Sequence, residues 1–140
     1  MSKRKKNILF SLISLIVGSL LYILFRKNTY IGGILNGIEN IYISRERYLF
    51  QVSDFFKFYL PDFLWGFSLG CGLIAIHNPR IKGVIICASY SFLCGLIWEL
   101  LQYLEVLSGT GDIHDVIMYL LASVVCIIIN LKETRRKWKK

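Results

Sequence analysis

From Ile8 to Phe25 the chain runs 18 residues without a single charge. A stretch of that length and character is what a helix needs to cross the hydrocarbon of a bilayer. Three more apolar stretches follow, at about 62–76, 83–104 and 112–131. They make the chain 55% hydrophobic over its 140 residues. A soluble domain of this size has no use for so many long apolar runs, and the length allows one domain. The reading is an all-α integral membrane protein, a four-transmembrane-helix bundle forming a single domain over 1–140.

The charges fit that reading. The net charge is +8, but its distribution argues against nucleic acid. Lys3, Arg4, Lys5 and Lys6 precede the first run. Lys132, Arg135, Arg136, Lys137, Lys139 and Lys140 follow the last. Basic ends on apolar segments mark cytoplasmic retention and contact with anionic lipid headgroups. No nucleic-acid-reading motif accompanies them. With the N-terminus in the cytoplasm and four crossings, the tails 1–7 and 132–140 and the 77–82 turn lie inside. That side then holds 12 of the 17 Lys and Arg residues, and of the nine acids only Glu133. Short cytoplasmic loops are expected to be rich in Lys and Arg. The localisation predicted is the cell membrane, multi-pass, with both termini cytoplasmic.

The first run follows KRKK and lacks a small-x-small cleavage pattern, so it reads as an uncleaved span that also serves as targeting signal. Residues 26–60 form a long intermediate segment, interrupted early by Gly32, Gly33 and Gly37. Its second half places Leu49, Val52, Phe55, Phe56, Tyr59 and Leu60 on one helical stripe. That predicts an interfacial amphipathic helix near 48–60, with a loop cap over the bundle as the other reading. Pro61 suits a first helical turn. The run at 62–76, about 15 residues, is short for a full span and implies local thinning or burial. HNPR at 77–80 is a tight turn, and SGTGD at 108–112 a Gly-rich one.

Titratable residues collect at one end of this topology. Asp62 opens the second helix, Glu99 and Gln102 lie near the outer end of the third, and Asp112, His114 and Asp115 open the fourth. A four-helix bundle lets such residues converge. Glu99 and Gln102 are i and i+3 and share a helix face, as do Asp112 and Asp115. Asp112 follows a Gly-rich turn and suits a helix cap. Glu99 follows a long uncharged stretch, so its carboxylate must reach the interface, pair, or stay protonated. An intramembrane acid is a functional candidate by default. Gln102 suits a hydrogen bond to Glu99 or to a ligand oxygen. Glu105 reads as a solvated interfacial charge and His114 as a core or surface residue. Carboxylate oxygens of Glu99, Asp112 and Asp115 suit a hard cation, but no recognised metal spacing is present, and neither metal nor cofactor is expected.

The four cysteines, Cys71, Cys87, Cys94 and Cys126, lie in apolar runs without a CxxC pair. They read as small buried hydrophobes, not as a disulfide framework. GFSLG at 66–70 is a GxxxG pattern, and Ser91 with Gly95 and Ala122 with Cys126 are small-xxx-small pairs. These faces suit a bundle, or a homo- or hetero-oligomer.

WELLQ at 98–102, then a turn, then GDIHD at 111–115 resembles the signature of VanZ-like membrane proteins, E-x-x-Q followed by D-x-x-D entering the last helix. The resemblance covers roughly residues 60–130 and takes in Asp62 of PDFLW. Three polar positions of the family pattern differ here. Trp65 stands for a His, Gly109 and Thr110 for an Arg, and Tyr119 for an Asn. The resemblance implies a small protein of about four spans with a polar pocket on the extracytoplasmic face. It implies a role in the cell envelope, on a lipid-linked or cell-wall-related ligand, or in resistance to glycopeptide antibiotics of the teicoplanin type. If the site is catalytic, Glu99 is the general acid or base, oriented by Asp112 and Asp115, with Gln102 and Asp62 binding ligand. The rival reading is a non-catalytic accessory or scaffold subunit whose polar residues tie the bundle together.

Overall fold

The computed structural model describes residues 2–25 and 57–138, with side chains over 2–23 and 57–132. Among the described residues the regular structure is entirely helical: α1 (Lys3–Phe25), α2 (Leu60–His77), α3 (Ile81–Tyr103) and α4 (Ile113–Trp138). All four are long and apolar enough to cross a membrane. Residues 48–56 of the predicted interfacial helix lie outside the described residues, and Leu60 already belongs to α2.

Three helix boundaries differ from the sequence expectation. α1 begins at Lys3, because the basic residues before Ile8 are good helix formers and extend the first helix toward the N-terminus. α2 has 18 residues. At 1.5 Å per residue that is about 27 Å, close to a full hydrocarbon thickness, and half of the helix is buried, as the burial alternative expected. α4 runs through the basic tail to Trp138.

Both described connections between helices are closed by a defined cap. α2 ends at Asn78, in the left-handed region at φ 42° and ψ 51°, whose N–H donates to the Ile74 carbonyl. Asn tolerates this conformation well, and Pro79 follows. α3 ends in a Schellman motif: the Glu105 N–H donates to the Gln102 carbonyl and the Val106 N–H to that of Leu101. Glu105 takes the left-handed position, φ 58°, that glycine usually fills. Its side chain is exposed, as expected of a solvated charge.

α2 is the hub of the bundle. It packs against α1, α3 and α4, while α3 and α4 pack on each other. The core comprises Phe67, Cys71, Ile74, Val84, Cys87, Ala122 and Cys126. Around it the exposed surface is apolar: Leu12, Ile16 and Leu20 on α1, Ile86 and Ile97 on α3, and Ile117 and Leu121 on α4. Serines bridge the helices to carbonyls with otherwise intrahelical roles. Ser68 Oγ donates to Ser11 O at 2.8 Å, Ser91 Oγ to Gly66 O at 2.6 Å, and Ser123 Oγ to Ala88 O at 3.0 Å. The small-residue faces are buried within this bundle: Gly66 meets Tyr119 and Ala122, and Gly70 meets Cys126 and Ser91. Cys71, Cys87 and Cys126 are buried as expected. Cys94 is not; it is exposed on the outer face of α3.

One end of the bundle gathers the chain's N-terminus, the 78–80 turn and the later part of α4. Lys3 Nζ donates to the Pro79 carbonyl at 3.0 Å. Asn7 Nδ2 donates to Asn130 Oδ1 at 2.8 Å, with both side chains almost wholly buried. The acids collect at the opposite end.

Candidate functional site

Tyr119 on α4 organises the acidic end. Its ring lies between two glycines of neighbouring helices. A Cβ at Gly66 of α2 would stand 2.9 Å from its Cδ1, and one at Gly95 of α3 would clash with Cγ and both Cδ atoms of the ring. No larger residue than glycine leaves room for the ring at these two positions. The hydroxyl donates to Asp62 Oδ1 at 3.0 Å. Tyr119 thus ties α4 to α2 while packing on α3.

The carboxylates form a second layer. Asp62 precedes Gly66 by four residues, Glu99 follows Gly95 by four, and Asp115 precedes Tyr119 by four. Four residues are about 6 Å along a helix and return to the same face. Since α3 runs antiparallel to α2 and α4, all three acids stand one turn beyond the tyrosine, toward the same end. All three are buried: Asp62 7%, Glu99 5% and Asp115 7% exposed. All three are within electrostatic reach of the Tyr119 hydroxyl.

The loop between α3 and α4 folds over this layer. Glu99 Oε2 accepts the Asp112 N–H at 3.2 Å, linking the end of α3 to the start of α4. Gly111 allows the loop to lie flat. A Cβ there would come within 2.8 Å of the Glu99 carbonyl oxygen and of the Tyr103 nitrogen. Gln102 Nε2 donates to the Ser108 carbonyl at 3.3 Å, so its amide holds the loop and not Glu99. Gly109 has φ 140°, and a Cβ there would strike the Gln102 amide.

Asp112 is the N-cap of α4. Its Oδ1 accepts the His114 N–H at 2.9 Å and contacts His114 Nδ1 at 2.8 Å. The backbone and side-chain hydrogen bonds from His114 hold its carboxyl below the usual carboxylate range. His114 itself is a surface residue, its side chain 63% exposed, with its ring 5.4 Å from that of Tyr59.

Asp62, Glu99, Asp112, Asp115 and Gln102 therefore all lie at one end of the bundle, in three kinds of place. Asp62, Glu99 and Asp115 form the buried layer, Asp112 caps a helix at the rim, and Gln102 holds the loop. Among the described residues, no three Asp, Glu, His or Cys side chains are placed to hold a metal ion. Beside the layer, between α3 and α4, lies a groove of about 490 Å³. Leu96, Leu100, Tyr103 and Val116 form its apolar walls, and Glu99 and Asp112 also line it.

Sequence reasoning passed over Tyr119 and the buried pair Asn7 and Asn130. The signal for Tyr119 was present as matched four-residue spacings on three helices, D-x-x-x-G, G-x-x-x-E and D-x-x-x-Y. For Asn130 the signal was a lone amide in IIINL, far inside a span. The chain matches no protein-family model, and neither a curated protein nor a solved structure matches it.

Proposed function

We propose that the protein is a VanZ-like, multi-pass protein of the cell membrane. Its acidic end faces outward as a pocket for a lipid-linked or cell-wall-related ligand, and its cellular effect is on glycopeptide sensitivity of the teicoplanin type. The observation that carries this reading is the layer of three buried carboxylates, Asp62, Glu99 and Asp115, beside an apolar groove open to an amphiphile. An acid within a membrane-length helix is a functional candidate by default. Three at one level exceed what holding four helices together requires, since the serine bridges and core packing already do that. Both termini and the 78–80 turn, which carry most of the basic residues, belong at the opposite, cytoplasmic end.

Glu99 is the residue on which the reading turns. It is the most buried of the three acids and the one that borders the groove. The test compares glycopeptide susceptibility of cells expressing the protein with that of cells expressing Glu99→Gln at equal membrane level. The reading expects the phenotype to be lost while expression and helix content stay normal. An unchanged phenotype at equal level overturns the site.

A scaffold role is the second reading, favoured by Tyr119 and Asp112. The phenol between Gly66 and Gly95 bonds Asp62, and Asp112 caps α4. On that reading Glu99→Gln fails through loss of the folded protein from the membrane.

A further inference from the structure

We propose that the groove between α3 and α4 seats an amphiphile with a primary ammonium headgroup, its acyl chain along Leu96, Leu100 and Val116 and its ammonium at the Asp112 carboxylate. The inference rests on the pocket reading above and adds the chemical class of the ligand.

The groove has the size and lining of a ligand site. Its volume of about 490 Å³ lies within the usual range for small-molecule pockets, roughly 300–1,000 Å³. From Leu96 to Tyr103 it follows about 10 Å of α3, a length suited to part of an acyl chain. Leu100 and Tyr103 on α3 and Ile113 on α4 are each more than half exposed along it, so a chain lying there covers apolar surface.

The charge in the groove has one sign, and that chooses the headgroup. Its lining contains two carboxylates, Glu99 and Asp112, and no Lys or Arg. A headgroup ending in a neutral glycerol gains no charge there, whereas an ammonium has three donors and a compensating charge. Asp112 is the group placed to meet it. It stands at the rim, 39% exposed, and its hydrogen bonds from His114 engage Oδ1, leaving Oδ2 to accept from the headgroup. Those same bonds keep the carboxyl ionised well into the acid range. Gly111 beside it presents no side chain to block the approach.

Phosphatidylethanolamine and phosphatidylglycerol share their phosphate and tails and differ in the ammonium, so they isolate the claim. The full chain is purified in detergent doped with one of these lipids or with diacylglycerol, all with matched tails, and retained lipid is read by native mass spectrometry. Wild type retains phosphatidylethanolamine several-fold over phosphatidylglycerol. Asp112→Asn brings the two to parity and leaves diacylglycerol retention unchanged. Asn caps a helix about as well as Asp, so the fold survives this change. Equal retention of the two phospholipids by wild type, or a preference that survives Asp112→Asn, overturns the ammonium assignment alone. Val116→Phe fills the groove and lowers retention of all three lipids, and Leu96→Phe serves where that variant does not fold. Retention unaffected by groove filling overturns the pocket reading itself.

Discussion

The Tyr119 hydroxyl donates to the Asp62 carboxylate at 3.0 Å, across the contact of α4 with α2. The two residues are 57 positions apart, and each is only 7% exposed. Their bond places a carboxylate at the acidic end of the bundle, and the ring beneath it sets how closely three helices approach.

Tyr119→Phe removes that bond and keeps the ring. Interhelical hydrogen bonds of this kind contribute about 1 kcal/mol in membrane bundles. Reversible unfolding by denaturing detergent is expected to show a loss of that order. An unaltered midpoint would show that the bond carries no stability.

Glycine is required where the ring lies against the backbone. Gly95→Ala drives a methyl group against three atoms of the Tyr119 ring, and Gly66→Ala places one closer than contact distance to a single ring atom. Overpacking costs about 1–3 kcal/mol, and the larger loss is expected at Gly95. Tyr119→Leu combined with Gly95→Ala is expected to recover part of the loss, because the leucine vacates the clash. Additive losses in the double variant would contradict this packing.

At the other end, Asn7 and Asn130 depend on each other. Asn7 Nδ2 donates to the Lys3 carbonyl at 3.0 Å as well as to Asn130, and Asn130 Nδ2 donates to the Cys126 carbonyl at 2.9 Å. Asn130→Leu leaves a buried amide donor short of its acceptor, which costs about 1–3 kcal/mol. Asn7→Leu with Asn130→Leu is expected to be less destabilising than Asn130→Leu alone, since both polar groups then leave together. The same unfolding measurement decides it.

Asp112 makes the acid limb of the stability curve steeper. Its folded pKa is held below the ordinary carboxylate value by hydrogen bonds from His114. The stabilisation is therefore fully present above the unfolded value, about 3.9. It is lost as pH falls from there through the lowered folded value. Asn at this position caps without titrating. The melting temperature of wild type minus that of Asp112→Asn is thus expected to fall as pH drops below about 4. A difference that is flat down to pH 3 would contradict the capping bond.

Much of the bundle was legible because the apolar runs and their breakers are local signals. Four helices, the Asn78 and Pro79 turn, the Asp112 cap and the exposed Glu105 all follow from short windows of chain. Boundaries were less legible. KRKK reads as a tail by charge, yet Lys3 folds back to the Pro79 carbonyl and the helix begins there. Residues 62–76 look too short for a span only when Leu60, Pro61 and His77 are left out of the helix. Gln102 shares a helix face with Glu99, but the loop captured its amide through Ser108.

The sequence by itself determined four membrane-length helices, which end carries the bases, and which acids share the other end. Those properties rest on hydropathy, charge and four-residue periodicity, all of which act along one helix. Only the tertiary structure decided what the acids face. Tyr119 is an unremarkable residue in its own span. It becomes the centre of the acidic end because glycines on two other helices admit its ring, and because a carboxylate lies one turn above it on each of the three. Such coincidence between helices depends on their relative rotation and depth, which packing across the bundle sets and no single stretch of chain encodes.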